Sequence, residues 1–305
     1  MKGKHLLSIA DFADEGILPF VREAVEMKSR GRSGLLDGKL LALLFEKPSL
    51  RTRVSFEAAM NGLGGRAIYL SPAEVGLGQR ESVPDVARVL SGYVDAIAAR
   101  TFAQSTIEEL AEYCSVPVIN SLTDREHPCQ ALADFVTIYE KKGGLSGVSL
   151  AFIGDGNNVA NSLVLAAALS GMDFRIASPT GYAIEADVLS QAREYALASG
   201  GEITCVTAPA EAVAGADVVY TDVWTSMGQE AESEKRLRAF DGYQVNDEMM
   251  ALAASDAIFM HDLPAHRGEE VANSVIDSGR SVVFEQAENR MHALKPLLAR
   301  LLTGR

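Results

Sequence analysis

Cysteine is scarce and poorly spaced for structural chemistry. Cys114, Cys129 and Cys205 are an odd number with no C-x-x-C pair, which excludes a disulfide framework and a thiolate zinc site. Basic residues are in deficit: 28 Lys and Arg stand against 41 Asp and Glu. The resulting net charge of −13 argues against a nucleic-acid or anionic-membrane partner, since either wants a basic face. No apolar run approaches the roughly 20 residues of a membrane span. The start, Met1-Lys2-Gly3-Lys4-His5-Leu6-Leu7, lacks the apolar core of a signal peptide, and Asp11, Asp14 and Glu15 follow quickly. A cytoplasmic location is expected.

What is present is ordinary globular material, 48% hydrophobic and 23% charged, in a chain of 305 residues that can hold two domains with separate cores. Apolar runs of strand length alternate with amphipathic segments of helix length. Strands are predicted at 40–45, 66–70, 96–99, 116–120, 149–153, 173–177, 218–221, 257–260 and 281–284. Helices are predicted at 9–28, 52–63, 83–93, 107–113, 131–142, 159–170, 183–199, 246–253 and 288–302. Alternation of this kind, with near-continuous apolar strands, predicts an α/β protein of two doubly wound parallel sheets with helices on both faces. The glycine-rich connector Lys141-Lys142-Gly143-Gly144-Leu145-Ser146-Gly147 divides it into 1–142 and 143–287, and 288–305 is expected as a helix returning to the first domain.

Polar clusters fall where predicted strands end. After Leu40-Leu41-Ala42-Leu43-Leu44-Phe45, the segment Ser49-Leu50-Arg51-Thr52-Arg53 opens a helix. A helix start has unpaired N–H groups and the positive end of the dipole, so with two hydroxyls and two guanidiniums it suits a phosphate. Alone, the same residues describe a capped surface helix with solvated arginines. In an acidic chain an anion needs such a local positive pocket, which draws in Arg51, Arg53 and Arg100. His127-Pro128-Cys129-Gln130 puts two polar side chains at a helix start, where they could polarise a carbonyl oxygen and hold an amide-like NH2. Gly154-Asp155-Gly156-Asn157-Asn158 resembles a dinucleotide turn, but Val159 replaces its third glycine and no acidic residue ends the next strand, so NAD is not expected. Asn157 and Asn158 suit a small zwitterion better. Asp222-Val223-Trp224-Thr225-Ser226-Met227-Gly228 offers a carboxylate and a hydroxyl for an amino group, or a capping Asp. In His261-Asp262-Leu263-Pro264-Ala265-His266-Arg267-Gly268 the spacing is not that of a helical metal site, and no metal is expected.

Taken together and in order, these segments, with Glu81-Ser82, Ala87-Arg88-Val89-Leu90-Ser91, Arg100 and Glu288-Asn289-Arg290, resemble the aspartate/ornithine carbamoyltransferase family, in its ornithine branch, over essentially the whole chain. The resemblance implies a carbamoyl-phosphate domain at 1–142 and an ornithine domain at 143–287. It also implies a homotrimer with active sites at subunit interfaces, and no cofactor or metal. The implied reaction is carbamoyl transfer from carbamoyl phosphate to the δ-amine of L-ornithine, giving L-citrulline and phosphate. By position, Ser49, Leu50 (through its N–H), Arg51, Thr52 and Arg290 would hold the phosphate. Arg100 would bridge phosphate and carbonyl oxygen, His127 and Gln130 would hold the carbamoyl group, and Leu263 joins this set. Asn158, Asp222, Ser226 and Met227 would bind the α-amino and α-carboxylate groups of ornithine. Arg100, His127, Gln130 and Asp262 are the expected catalytic residues.

The chain departs from the family pattern at three points. Leu50 stands where Thr is usual. Asp262 stands where Cys is usual, beside the expected δ-amine, where a carboxylate could orient the amine or accept its proton. In Glu74-Val75-Gly76-Leu77-Gly78-Gln79-Arg80, Gly76 occupies a position from which relatives lend a polar side chain to the neighbouring subunit, with Gln79 as the stand-in. Rival acceptors are N-acetylornithine, N-succinylornithine and putrescine. Putrescine has no carboxylate for Asn158, and acylated ornithines leave Asp222 without an amine. A two-lobed amino-acid sensor without catalysis would not need the phosphate cradle.

Overall fold

The strands of each sheet pair in parallel, as expected of strands joined by helical crossovers. The computed structural model describes residues 5–304 except Gln79, Met227 and Gln229. The chain divides into two compact units, Met1–Val136 with Glu288–Arg305, and Thr137–Ala287.

The first unit has a four-stranded sheet, β1 (Leu40–Phe45), β2 (Arg66–Leu70), β3 (Ala96–Arg100) and β4 (Val118–Leu122), in the order β2-β1-β3-β4. Its order reverses between β1 and β3, so the carboxyl ends of these two strands frame the crevice in which such sheets bind ligands. There Phe45 lies in register with Arg100. Leu6 extends the sheet past β4, donating to Val118 and accepting from Asn120. Residues 288–305 belong to this unit, tied by Lys28 Nζ to Asn289 Oδ1 at 2.9 Å and by Arg300 Nε to Glu23 Oε2 at 2.7 Å. One apolar cluster in this unit joins Ala42, Leu44, Ile97, Ala99 and Val118 of the sheet to Val86, Ile107 and Leu110 of its helices.

The second unit has five parallel strands, β5 (Ser149–Ile153), β6 (Asp173–Ala177), β7 (Ile203–Val206), β8 (Val218–Thr221) and β9 (Ile258–Met260), in the order β7-β6-β5-β8-β9. Its reversal lies between β5 and β8, where Ile153 faces Thr221 in register. The helix Asn158–Ser170 follows β5 and is buried over nearly its whole length, as its Val-Ala-Asn-Ser-Leu-Val-Leu-Ala-Ala-Ala sequence requires.

Three expectations are corrected. Residues 281–284 form no strand: Ser281 makes an isolated bridge to Phe259, and a helix runs Val283–Thr303. The apolar pair Val282 and Val283 is the helix entry, buried as a strand would be. The single helix expected at 9–28 is a 3-10 turn, Ile9–Phe12, and a helix, Leu18–Arg30, separated by Gly16 at φ 70° with Pro19 opening the second. Strand β7 lacks an apolar run, Ile-Thr-Cys-Val being short and half polar as an edge strand can be.

Candidate active site

In the first unit the turn after β1 caps the helix Leu50–Gly62 with Ser49. The Ser49 hydroxyl accepts from the Thr52 N–H at 3.4 Å and donates to Thr52 Oγ1 at 3.0 Å. Arg290, buried, donates from Nη2 to the same Oγ1 at 2.6 Å. With two donors on its oxygen, Thr52 has only its own O–H left to give, and a ligand oxygen at the helix start can take it. Arg51 lies half-buried in the same first turn, while the Leu50 side chain is 75% exposed, so only the Leu50 N–H faces the helix start. Arg100, buried at the end of β3, accepts from the Glu46 N–H through its carbonyl at 2.8 Å, which fixes it against this turn. Lys47 joins the cluster unannounced by the sequence reading. Burial, then the neighbouring Arg100 charge, lowers its amine below the usual range.

His127 and Gln130 are both buried around the start of the helix Pro128–Lys142. The turn before them is built on Thr123, whose hydroxyl accepts from the N–H groups of Arg125 and Glu126 at 3.3 and 3.1 Å. Gln130 Nε2 donates to Asp134 Oδ1 at 2.8 Å. Cys129, next in the motif, is a packing residue: burial pushes its thiol up to about 12 against the pull of Arg290. A thiol held there is neither nucleophile nor acid at neutral pH.

In the second unit Asn157 ties the turn after β5 to Asp222. It caps the helix Asn158–Ser170, its Oδ1 accepting from Val159 and Ala160 at 3.0 and 3.1 Å, and its Nδ2 donates to Asp222 Oδ2 at 2.7 Å. The turn needs Gly156, where a Cβ would lie 2.2 Å from the Ile184 nitrogen. Asp222 is not a helix cap: it is buried just past β8, and its Oδ1 accepts from the Val223 N–H at 2.7 Å. The loop beyond is held by Arg236, which donates from Nη1 to the Trp224 carbonyl at 2.9 Å and pairs with Asp155 Oδ2 at 2.6 Å. Trp224 stacks on Phe240 at 5.5 Å. Ser226 is half-buried on this loop, and Met227 lies outside the described residues, as does Gln79.

His261 is fully buried past β9. Its backbone N–H donates to Gln286 Oε1 at 2.9 Å and its Nε2 lies 3.1 Å from Glu270 Oε1. Burial opposes a charge on the ring, while Asp262 and Glu270 favour one enough to raise it to about 10. Against that, the Leu263 N–H points at Nδ1 from 2.9 Å, and a doubly protonated ring cannot accept it. The geometry therefore holds the neutral ring with its proton on Nε2, donated to Glu270. Asp262 lies beside it, Oδ1 at 3.4 Å from Nδ1. Asp222 and Asp262 are neighbours too, and burial together with the Asp262 charge holds the Asp222 carboxyl well above the usual range.

That juxtaposition of Asp222, His261 and Asp262, with ligand atoms within 4.8 Å of one another, was not evident from spacing. It has the composition of a cation site, as does the set His266, Glu269 and Glu270. In the first set the lone pair of His261 Nδ1 is already committed to Leu263, so a metal there would cost that hydrogen bond. Among the described residues no helix is long and apolar enough to cross a membrane.

Comparison with known proteins covers both units. Residues 4–140 match the family described as aspartate/ornithine carbamoyltransferase, carbamoyl-P binding domain, and residues 146–301 its Asp/Orn binding domain. A protein of Anoxybacillus flavithermus named ornithine carbamoyltransferase is 53% identical over 99% of this chain and 98% of its own length. One of Pyrococcus furiosus, named ornithine carbamoyltransferase, anabolic, is 50% identical over 100% of this chain and 98% of its own length. The solved structure of ornithine carbamoyltransferase from Pyrococcus furiosus superposes with a TM-score of 0.95 at 50% identity, covering 100% of this chain and 98% of that one. With the phosphate-type cradle past β1 in one matched region and the paired aspartates past β8 and β9 in the other, the chain belongs to the aspartate/ornithine carbamoyltransferase family.

Proposed function

We infer that the chain transfers the carbamoyl group of carbamoyl phosphate to the δ-amine of L-ornithine, yielding L-citrulline and phosphate in arginine biosynthesis. The observation that carries this reading is Thr52, gripped by Ser49 and Arg290 at a helix N-terminus beside Arg100, in a family member whose relatives are named for ornithine. Phosphate is held by the Leu50 N–H, the Thr52 hydroxyl, Arg51 and Arg290, and by the Ser49 hydroxyl once it turns from Thr52 Oγ1 to the ligand. Arg100 and His127 meet the carbonyl oxygen and stabilise its negative charge as the amine adds. Gln130 accepts from the carbamoyl NH2. The phosphate then leaves into cations already in place, so little reorganisation accompanies bond breaking.

The nucleophile is the neutral amine, yet an alkylamine has a pKa near 10. Asp262 orients the δ-amine, and Asp222, expected from the resemblance at the α-amino group, has Asp262 as its neighbour. A carboxylate pair in which one member takes up a proton above the usual range is a better acceptor for the amine's proton than an ordinary aspartate. Asn158, Ser226 and Met227 hold the α end. By the family's pattern, the enzyme works as a cytoplasmic homotrimer with each site completed by a neighbouring subunit.

The test is a ureido-product assay without added metal, with carbamoyl phosphate and, in parallel, L-ornithine, aspartate, N-acetylornithine and putrescine. Citrulline from ornithine alone is expected. Product from another acceptor would overturn the ornithine assignment and leave the first unit's role standing.

A further inference from the structure

Gln130 and Asp134 lie four residues apart on the helix Pro128–Lys142, on one face, and both are buried, at 1% and 0% exposure. Gln130 Nε2 donates to Asp134 Oδ1 at 2.8 Å. The other end of the same amide, Oε1, is buried and accepts from no donor among the described residues. One feature of this pair is unusual for packing. A buried amide oxygen left without a donor is unfavourable and calls for an explanation.

A single role of Asp134 accounts for it. An ionised carboxylate only accepts, so Asp134 can be satisfied by the amide NH2 of Gln130 and not by its oxygen. That fixes which end of the amide meets Asp134 and which end is left to accept. Without Asp134 the amide is free to turn over and present NH2 instead.

We propose that Asp134 is a positioning residue for carbamoyl recognition: it locks the Gln130 amide with Nε2 on the carboxylate and Oε1 turned from it, making Gln130 an acceptor for the NH2 of the carbamoyl group and a poor partner for an acyl phosphate lacking one. The proposal rests on the reading that Gln130 meets the carbamoyl NH2. Asp134 touches no substrate. Its contribution is to orient an acceptor before substrate arrives, so the cost of the unsatisfied oxygen is met by the fold and recovered only when a carbamoyl NH2 supplies the hydrogen bond.

The test compares carbamoyl phosphate with acetyl phosphate, which replaces the NH2 by a methyl group. With ornithine saturating, KM for carbamoyl phosphate and the inhibition constant of acetyl phosphate are measured for the native protein, Asp134→Asn, Gln130→Ala and the double variant. Asp134→Asn is expected to raise KM for carbamoyl phosphate roughly ten-fold, the loss of about one hydrogen bond. The acetyl phosphate constant should stay within two-fold. Gln130→Ala should give the same pattern, and the double variant no more than either single one. Asp134→Glu, which keeps the carboxylate, should restore much of the discrimination. Equal losses for both phosphates would show a merely structural Asp134 and overturn the proposal, as would native-like constants in Asp134→Asn alongside a selective loss in Gln130→Ala. No selective loss in Gln130→Ala would instead bring down the reading of Gln130 itself. If Asp134→Asn does not fold, Asp134→Ser, whose hydroxyl can donate or accept, carries the same comparison with the same expectation.

Discussion

Asp222 and Asp262 show how much one substitution relative to a family pattern can change. Where Asp262 stands the resemblance expects a Cys, and the carboxylate there meets another carboxylate that is already buried. Two such groups cannot both ionise cheaply, so Asp222 holds its proton to higher pH than an ordinary aspartate. The folded state then binds more protons than the unfolded chain between the usual aspartate pKa of about 3.9 and the raised value. Stability is fully present below that window and is lost as pH rises through it. Asp262→Asn removes the neighbouring charge, so its melting temperature should fall less steeply with pH than that of the native protein, and bound ornithine should flatten the native slope likewise. Thermal melts from pH 5 to pH 8 decide this; parallel slopes would separate the two aspartates energetically. The sequence could not disclose the pair, because 40 positions of chain separate its members. It disclosed that each follows a strand, the resemblance set both at the expected ornithine, and neither named Asn157 as the residue that holds Asp222.

At the level of elements, the segment 222–224 is held by Asn157 at Asp222 and by Arg236 of the short helix Ser233–Ala239 at the Trp224 carbonyl. The Arg236–Asp155 pair is nearly buried, 8% and 12% exposed, and removing the cation strands a carboxylate that burial already pushes up. Arg236→Met should therefore cost roughly 3 kcal/mol of stability and raise KM for ornithine several-fold, with KM for carbamoyl phosphate unchanged. Adding Asp155→Asn should return most of the stability, since no charge is left unpaired, but not the ornithine affinity, since the Trp224 carbonyl still lacks its donor. Melting temperature and the two KM values separate these effects. Elements of this kind were the hardest to read in advance. Strands β1, β3, β5 and β8 follow their apolar runs, because a parallel strand covered on both faces has no other way to be written, and β2 and β6 follow theirs with fewer buried residues. The run at 281–284 has the same composition but enters a helix, and β7 forms without an apolar run at all. Tertiary pairing, which a window of sequence does not contain, decided both.

For the molecule as a whole, the acidic balance and the site chemistry pull in opposite directions. A net charge of −13 repels phosphate at long range, so capture depends on the first unit's buried Arg100 and Arg290 and the half-buried Arg51, whose charges act at short range where screening is weak. That much was legible, since the motif lay at the mouth of a strand. A homotrimer is an expectation of the resemblance alone, and two exposed apolar pairs in the first unit offer a way to test it. Leu50 and Val54 are 75% and 51% exposed one turn apart on one helix, and Val89 and Tyr93 are 53% and 73% exposed at the same spacing just beyond another. Single exposed apolar residues need no explanation, but pairs at helical spacing form faces that water solvates poorly. A homotrimer would cover them with further copies of the chain. Leu50 lies next to the phosphate cradle and is left intact. Val54→Asp combined with Val89→Asp places charges on both faces, and burying either uncompensated would cost several kcal/mol. In light scattering the native protein should show three times the chain mass and the double variant the mass of one or two chains. If each site takes residues from a neighbour, turnover should fall with the mass while far-UV circular dichroism stays native. A double variant that keeps the native mass would remove these faces from the assembly, and one that loses mass but keeps full turnover would make each chain's site self-sufficient.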